Sequence, residues 1–487
     1  MKLFKVMCVA MLVCAVSTIA YAETQSVKIS GDIALRAFAR GSYNLDKDAA
    51  PVANDGMVTS NYATHLMSTT EMQVDADLTD NVAGCVRLVN QRVWGNGEYE
   101  SAASETGTIG VPYRDRFTAV AVDPSANNSA FDVLVDLAYI ELKEFLYSPL
   151  TLKIGRQDIW FGKGFIVGAQ QQDPNAALYA KEYTAINSFD AVRATLDYAP
   201  WTIDAVYSKI AENGRRADDD VNLWGVNVGY AFDKYNAEAE AYWWYRQQKF
   251  SGNAYDAAQV VTVVGGQNSN DIHVLGLRGS FDPLEDWTMA LECATQLGNY
   301  IGAASQIHEK PRAAIALDAM VECRYWQDNF EWKPVVGMEY IYYSGEKNLD
   351  QIDESASDTG HYSGWDPMYR GKFDTAIREF QNVYYGTATT SSPATTNQHQ
   401  LLVKGCLEPM DNLKIDATYG HFWLAERYSA TNSQTNLGDE FDVKLTWDYT
   451  EDVSFDLLAG WFVPGSHFDT DQNNVATDIV GSVKLSF

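Results

Sequence analysis

Arginine side chains recur at positions where they could bind an acidic solute. Seven arginines are candidates: Arg36, Arg87, Arg156, Arg193, Arg246, Arg278 and Arg324. Alternation of polar and apolar residues places six of them on one face, whereas Arg156 follows Gly155, where the alternation is interrupted and its facing is left open. The guanidinium group keeps its charge and offers a planar fork of N–H donors that matches a carboxylate. These residues are therefore substrate-binding candidates, provided that the fold brings them to one surface.

Acidic side chains share that surface and leave two roles open for the arginines. The same alternation turns one face toward the following acids: Glu71, Asp75, Asp136, Glu238, Glu240, Glu292, Asp318, Glu322, Glu339, Asp416, Asp442 and Asp456. The arginines either guide an anion, or they form with these acids a hydrated wall that carries charges of both signs. The whole chain carries a formal net charge of −29, which argues against binding to nucleic acid.

Motifs for catalysis and for cofactors are missing from the sequence. There is no Gly-x-Ser-x-Gly, no His-x-x-x-His and no Cys-x-x-Cys-His pattern. Acidic clusters at 218–220, 350–358 and 469–471 lack the twelve-residue calcium-loop pattern, so their role is left open. We expect no enzyme, no cofactor and no metal site, with a barrel enzyme kept as an alternative.

The elements that must position these side chains are short strands. In FDVKLTWDY, Phe441, Val443 and Leu445 share one face, and Asp442 and Lys444 share the other. Strict alternation of this kind is typical of a strand with one apolar face. Eighteen segments follow it: 27–40, 66–78, 81–94, 132–146, 149–160, 188–198, 200–210, 221–232, 236–249, 271–282, 286–297, 312–327, 330–343, 397–408, 411–425, 439–449, 452–463 and 474–487.

The connections between these segments alternate between long and short. The largest are 41–65, 95–131, 161–187, 250–270 and 344–396, whereas the intervening turns have one to three residues. Outer-membrane barrels show this alternation because their turns face the periplasm and their loops face outward. We therefore predict an all-β fold, a transmembrane antiparallel β-barrel of about 18 strands with room for an aqueous channel. Whether loop 344–396 plugs that channel is left open.

The two ends of the chain agree with export to the outer membrane. Residues 1–22 have basic residues, an apolar run and a small-x-small cleavage site, which indicates a signal peptide before a barrel domain at 23–487. The final segment alternates up to Phe487 and must pair with the first strand to close a barrel. Phe487 is expected to lie at the periplasmic interface, in contact with lipid, and to be recognised by the outer-membrane assembly machinery.

Several short motifs carry a family resemblance. Gly155-Arg156-Gln157 is followed on the next strand by a segment from Ser188 to Arg193. Tyr343-Ser344-Gly345 precedes a long loop, and His421-Phe422-Trp423-Leu424-Ala425 ends a later strand. Together these motifs, between residues 150 and 425, resemble the alginate export family of outer-membrane β-barrel porins. The resemblance implies a passive, selective channel with a basic constriction for a polyuronate, and it favours Arg156 and Arg193 because both fall within the family-like stretch.

The functional expectation combines these observations. We expect a porin-like channel in the bacterial outer membrane for passive, selective passage of a polar solute, with an anionic polysaccharide or oligosaccharide as the candidate. The alternative is a structural or adhesion barrel that acts through its long extracellular loops. The expected partners are outer-membrane lipid, the saccharide and the assembly machinery, and nucleic acid is not among them.

Overall fold

The computed structural model describes most of the chain after the predicted signal peptide. It covers residues 26–46, 62–94, 133–171, 180–212, 220–250, 253–255, 261–263, 268–300, 310–347, 360–380, 395–427, 432–468 and 471–487. The predicted signal peptide and most of the three acidic loop clusters lie outside these residues. In the described part of the chain, no helix is long and apolar enough to span a bilayer.

In the described part of the chain, eighteen long antiparallel strands build one sheet, as the sequence predicts. They are β1 (Ser26–Gly41), β2 (Tyr62–Thr79), β3 (Val82–Val93), β4 (Leu134–Leu142), β5 (Leu150–Gln157), β6 (Phe189–Tyr198), β7 (Trp201–Ala211), β8 (Val221–Phe232), β9 (Ala237–Phe250), β10 (Ile272–Leu284), β11 (Trp287–Tyr300), β12 (Lys310–Cys323), β13 (Val335–Tyr343), β14 (Gln398–Met410), β15 (Leu413–Leu424), β16 (Asn436–Asp448), β17 (Val453–Pro464) and β18 (Ala476–Ser486). Short strands Asn253–Tyr255, Val261–Val263 and Asn268–Ser269 lie between β9 and β10, and a 3-10 helix spans Lys181–Tyr183.

The first and last strands close the sheet into a barrel. β1 pairs with β2 on one side and with β18 on the other, with Ala37 opposite Gly481. The main chains of Gly31 and Phe487 extend this pairing through two hydrogen bonds, each of 2.9 Å. Closure leaves no strand edge to be satisfied in lipid, where an unpaired N–H or C=O group costs several kcal/mol. The predicted fold class, including the pairing of the last strand with the first, is confirmed.

The two faces of the barrel differ in the way that alternation predicts. On β16, Phe441 is 46% exposed whereas its neighbour Asp442 is 6% exposed. Register extends this facing around the sheet, because residues paired across neighbouring strands point to the same side. The outer face is therefore largely apolar, and the inner face carries most of the charged side chains.

An apolar core also lies inside the barrel. Inner-face side chains such as Trp244, Tyr343 and Phe422 pack with Phe165 and Trp365, which belong to connections rather than strands. Removing one such large side chain from water contributes about 1.5–3 kcal/mol, so burial favours folding of these connections into the lumen. The interior is thus built partly by loops.

Candidate functional site

Six of the seven candidate arginines lie on the inner face, and Arg156 does not. Strand register places Arg156 opposite Ala138 on β4 and Asp190 on β6. These residues share the face of Ile154, whose side chain is 43% exposed. Arg156 lies 3.4 Å from Asp190 on that outer side. The prediction that Arg156 lines the pore is therefore wrong. The direction of its side chain is set by the pairing of β5 with β4 and β6, and the local pattern around Gly155 does not reveal that direction.

Three inner-face arginines are held by acids of the barrel wall. Nε of Arg87 donates to Asp136 over 2.8 Å. Nε of Arg193 donates to Asp204, also over 2.8 Å. The guanidinium group of Arg278 reaches both Glu238 and Glu240, at 2.7 and 2.6 Å.

The other three inner-face arginines have different partners. Arg246 forms a bidentate pair with Asp366, at 2.9 and 2.7 Å. Arg324 donates to Glu322 over 2.7 Å near the short-turn end of β12. Arg36 donates to Thr69 over 3.2 Å and lies 4.9 Å from the ring centre of Tyr183.

The connection after β5 supplies the first inserted segment, residues 158–171. Phe161 packs against Trp244 and lies beneath the guanidinium of Arg193. Gly162 has a φ of +54°, and a Cβ there would lie 2.7 Å from Cδ of Arg278, so the contact requires glycine. These contacts with inner-face residues place the first inserted segment in the lumen.

Residues 180–188 form the second inserted segment. Glu182 pairs with Arg40 of β1. Tyr183 stacks edge-on against Phe38, and Thr184 accepts a hydrogen bond of 3.0 Å from Gln91. The second inserted segment therefore lines the inner face of β1 and β3.

The third inserted segment, residues 360–380, is the longest described part of loop 344–396. It contacts β9 through the pair between Asp366 and Arg246. Farther along, Lys372 donates to Asp318 of β12 over 2.9 Å. Its main chain also pairs with the first inserted segment at Tyr369 and Val167. The question left open by the sequence is answered in part, since this portion of the loop lies inside the barrel.

A compact ion network fastens the third inserted segment to the wall. Lys372 contacts Asp318, Glu339 and Asp374, and Lys404 contacts Glu339 and Asp374. Burial alone would lower the pKa of Lys372, but the surrounding carboxylates raise that pKa above its ordinary value. Burial would likewise raise the pKa of Asp374, yet the neighbouring cations, Lys372 foremost, lower it. Both groups are therefore charged at neutral pH.

A cavity of about 410 Å³ remains between the inserted segments and β15 to β18. Its lining is rich in acids and includes one lysine and three aromatic rings: Glu182, Asp374, Asp416, Asp442, Asp478, Lys444, Tyr183, Phe373 and Phe380, with Thr375, Ala376, Thr418 and Leu458. The carboxylates and hydroxyl groups can bind hydroxyl-rich or cationic groups, and the rings offer apolar faces. In the described residues, no group of three or more His, Cys, Asp or Glu side chains has the arrangement of a metal site.

Sequence reasoning missed the residues that fill the lumen. Trp244 of β9 points inward, is 1% exposed and packs in the inner core. No sequence pattern points to Asp366, Lys372 and Glu379 as lumen residues, because a loop lacks the alternation that assigns a strand residue to a face. Two further arginines, Arg370 and Arg378, also lie in the third inserted segment.

Comparisons with known proteins agree with this architecture. Residues 63–482 match the model of the family described as alginate export. No curated protein sequence matches the chain.

Similar solved structures are porins of Pseudomonas. OpdO of Pseudomonas aeruginosa is 10% identical with a TM-score of 0.53, over 96% of this chain and 98% of that one. OccK2 (OpdF) of Pseudomonas aeruginosa, solved in complex with glucuronate, is 12% identical with a TM-score of 0.50, over 95% and 99%. A BenF-like porin from Pseudomonas fluorescens Pf-5 is 10% identical with a TM-score of 0.50, over 95% and 100%. Likeness at such low identity shows the fold alone.

The family match covers most of the chain, and the closed barrel agrees with it. The predicted resemblance and the outer-membrane location are confirmed. The chain belongs to the alginate export family and is a porin-like channel for solute passage in the bacterial outer membrane.

Proposed function

We propose that this channel passes a small polar saccharide by passive diffusion, and that it selects the solute through hydrogen bonds to a charge-balanced lumen. The observation that carries the proposal is the pairing of the inner-face arginines with acids. Arg278 contacts two glutamates, and Arg193 and Arg246 each contact an aspartate. A paired guanidinium group attracts a distant anion far less than a free one, because the field of its partner opposes its own.

The inserted segments reduce the open space of the lumen, which favours a small solute over a long polymer. The third inserted segment contacts strands from β9 to β16, so it occupies part of the lumen along nearly half of the wall. The cavity beside it is lined by carboxylates, hydroxyl groups and aromatic rings. Saccharide hydroxyl groups donate to such acceptors, and the apolar face of a sugar ring packs on aromatic side chains.

Passage of an anionic, uronate-like saccharide is the second candidate. It is supported by membership of the alginate export family and by the structural neighbour OccK2, which was solved with glucuronate. Lys444 lines the cavity, where it pairs with Asp456 over 3.4 Å and keeps its side chain 48% exposed. The two candidates differ in the sign of charge that the lumen prefers.

Single-channel recording in planar bilayers separates the two candidates. Reversal potentials in a potassium chloride gradient report charge preference, and added oligosaccharides report block. We expect weak cation preference and block by neutral oligosaccharides at least as strong as block by uronate oligomers of equal length. Anion preference with block by uronates alone would support the second candidate against the first. Folded protein that carries no current would contradict both, in favour of a barrel that acts through its loops.

A further inference from the structure

We propose that Glu440 and Asp442 on β16 are positioning residues that hold the third inserted segment in place inside the lumen and so set the conductance of the channel. The inference rests on the proposed function in treating the lumen as the path of the solute. Both residues point inward, with 1% and 6% of their surface exposed. Neither has a lysine or arginine side chain within ion-pair distance in the described part of the chain.

Their partners are main-chain groups of the third inserted segment. Glu440 accepts from the N–H of Ile377 over 2.7 Å and from that of Arg378 over 2.8 Å, with one carboxylate oxygen for each. Asp442 accepts from the N–H of Ala376 over 3.0 Å.

Residues 374–378 form a turn that is also held by Glu379 of the same segment. Glu379 accepts from the N–H groups of Asp374 and Thr375 and pairs with Arg370 over 2.6 Å. Five consecutive N–H groups, from 374 to 378, therefore end on carboxylates. Consecutive N–H groups that converge in this way form an anion-binding concavity, which the wall of the barrel fills with Glu440 and Asp442.

The wall is shaped to receive this turn. Gly460 of β17 stands opposite Asp442 in the register. A Cβ on Gly460 would lie 3.3 Å from Cβ of Ala376 and 3.5 Å from Cδ1 of Ile377. A strand glycine often marks a place where another part of the chain approaches closely. The missing side chain leaves room for the turn against β16 and β17.

The attachment lies where it can change the open part of the lumen. Asp374, Thr375 and Ala376 line the cavity of about 410 Å³ together with Asp442. The earlier part of the segment is held separately by Arg246 of β9 and Asp318 of β12. The ends of the turn are also held by β14, through the pair between Asp374 and Lys404 and the hydrogen bond from Arg378 to Gln398. Loss of the bonds to β16 would therefore loosen the middle of the turn, around Ala376, while its ends and the rest of the segment stayed attached.

The test compares two double variants in salt alone. In Glu440→Gln with Asp442→Ala, one acceptor of Glu440 becomes an NH2 group that faces an N–H donor, and the acceptor at 442 is removed. The matched control is Asp32→Asn with Asp456→Asn, which removes two wall carboxylates that lie outside the cavity lining and whose ion pairs are with Lys484 and Lys444. We expect the first variant to raise single-channel conductance by about twofold, since pore width governs conduction, and the control to change it much less.

A reversible cross-link distinguishes two causes of a raised conductance, movement of the turn and a change of charge in the lumen. Cysteines at 376 and 460, added to the first variant, would have Cβ atoms about 3.3 Å apart, close to disulfide geometry. The Asp442→Ala change also removes the carboxylate oxygen that lies 2.5 Å from a Cβ at 460. Oxidation should restore the conductance of the native channel, and reduction should raise it again.

Two results would overturn the proposal. One is equal conductance of the first variant and the control, with both folded by gel migration. The other is a raised conductance that the oxidised cross-link leaves unchanged. Because no saccharide is present, these outcomes are independent of the block experiments on the proposed solute.

Discussion

At the scale of single residues, the lumen is organised by charge pairing. Arg278 is the clearest case, because its guanidinium group contacts Glu238 and Glu240 together. Arg156 is the opposite case, since it lies on the outer face beside Asp190. The two arginines therefore differ in whether they act on the lumen.

Replacement of Arg278 by alanine should make the channel more selective for cations. Glu238 and Glu240 would lose the cation that lies within 2.7 Å of each, and the lumen would become more negative. Reversal potentials in a salt gradient measure the change. Arg156→Ala is the matched control, and we expect its selectivity to equal that of the native channel. A larger shift for Arg156→Ala than for Arg278→Ala would contradict the assigned facing.

At the scale of elements, neighbouring positions on paired strands meet different solvents. Leu457 of β17 pairs with Leu445 of β16 on the outer face, and it is 45% exposed. The adjacent pair, Thr446 and Asp456, points inward and is joined by a hydrogen bond of 2.7 Å. A single step along the strand thus moves a side chain from lipid to the lumen.

Lysine substitution measures this difference. Leu457→Lys puts a charge in the apolar band and should lower the free energy of unfolding by about 2–4 kcal/mol. Thr446→Lys puts the same charge beside Asp456 and should cost far less. Reversible unfolding by denaturant in lipid vesicles gives both values. Equal losses at the two positions would mean that the faces are assigned wrongly.

The last strand ends in a contact that links sequence to assembly. A Cβ on Gly31 would lie 2.7 Å from Cζ of Phe487, so the aromatic ring covers Gly31 at the seam of the barrel. We propose that Phe487 also serves recognition by the assembly machinery, as the sequence suggests. Its ring is accessible for this role, since Phe487 is 61% exposed.

Deletion of Phe487 should impair assembly more than stability. The yield of folded barrel in the outer membrane should fall strongly, because recognition precedes folding. The protein that does fold should lose only the contacts of one terminal residue. Yield is read from the folded band on a gel, and stability from denaturant unfolding. An unchanged yield together with a large loss of stability would reverse this assignment.

At the scale of the whole molecule, the barrel wall and its contents have different origins. The wall closes because each strand pairs with its neighbours and β1 pairs with β18. In the described residues, the contents include three inserted segments from two connections, and these bury apolar side chains against the inner face. The channel is thus a regular cylinder narrowed by irregular segments.

A closed barrel should migrate anomalously on a gel. Unboiled protein in detergent should keep its folded shape and run at a different position from boiled protein, because cross-strand hydrogen bonding resists the detergent. The circular-dichroism spectrum should be rich in β-structure. A mainly helical spectrum, or equal migration of the boiled and unboiled protein, would contradict the fold.

The sequence alone determined the strands, their number and most of their facings. Alternation is a local property with a period of two, so FDVKLTWDY reveals its two faces without knowledge of any partner strand. Only the tertiary structure decided the partners of the charges and the place of the loops. Arg246 and Asp366 are 120 residues apart and meet because a long connection turns inward. The facing of Arg156 follows only from the pairing of β5 with β4 and β6, since Gly155 interrupts the local pattern. Contacts of this kind depend on chain closure over long separations, which no local periodicity encodes.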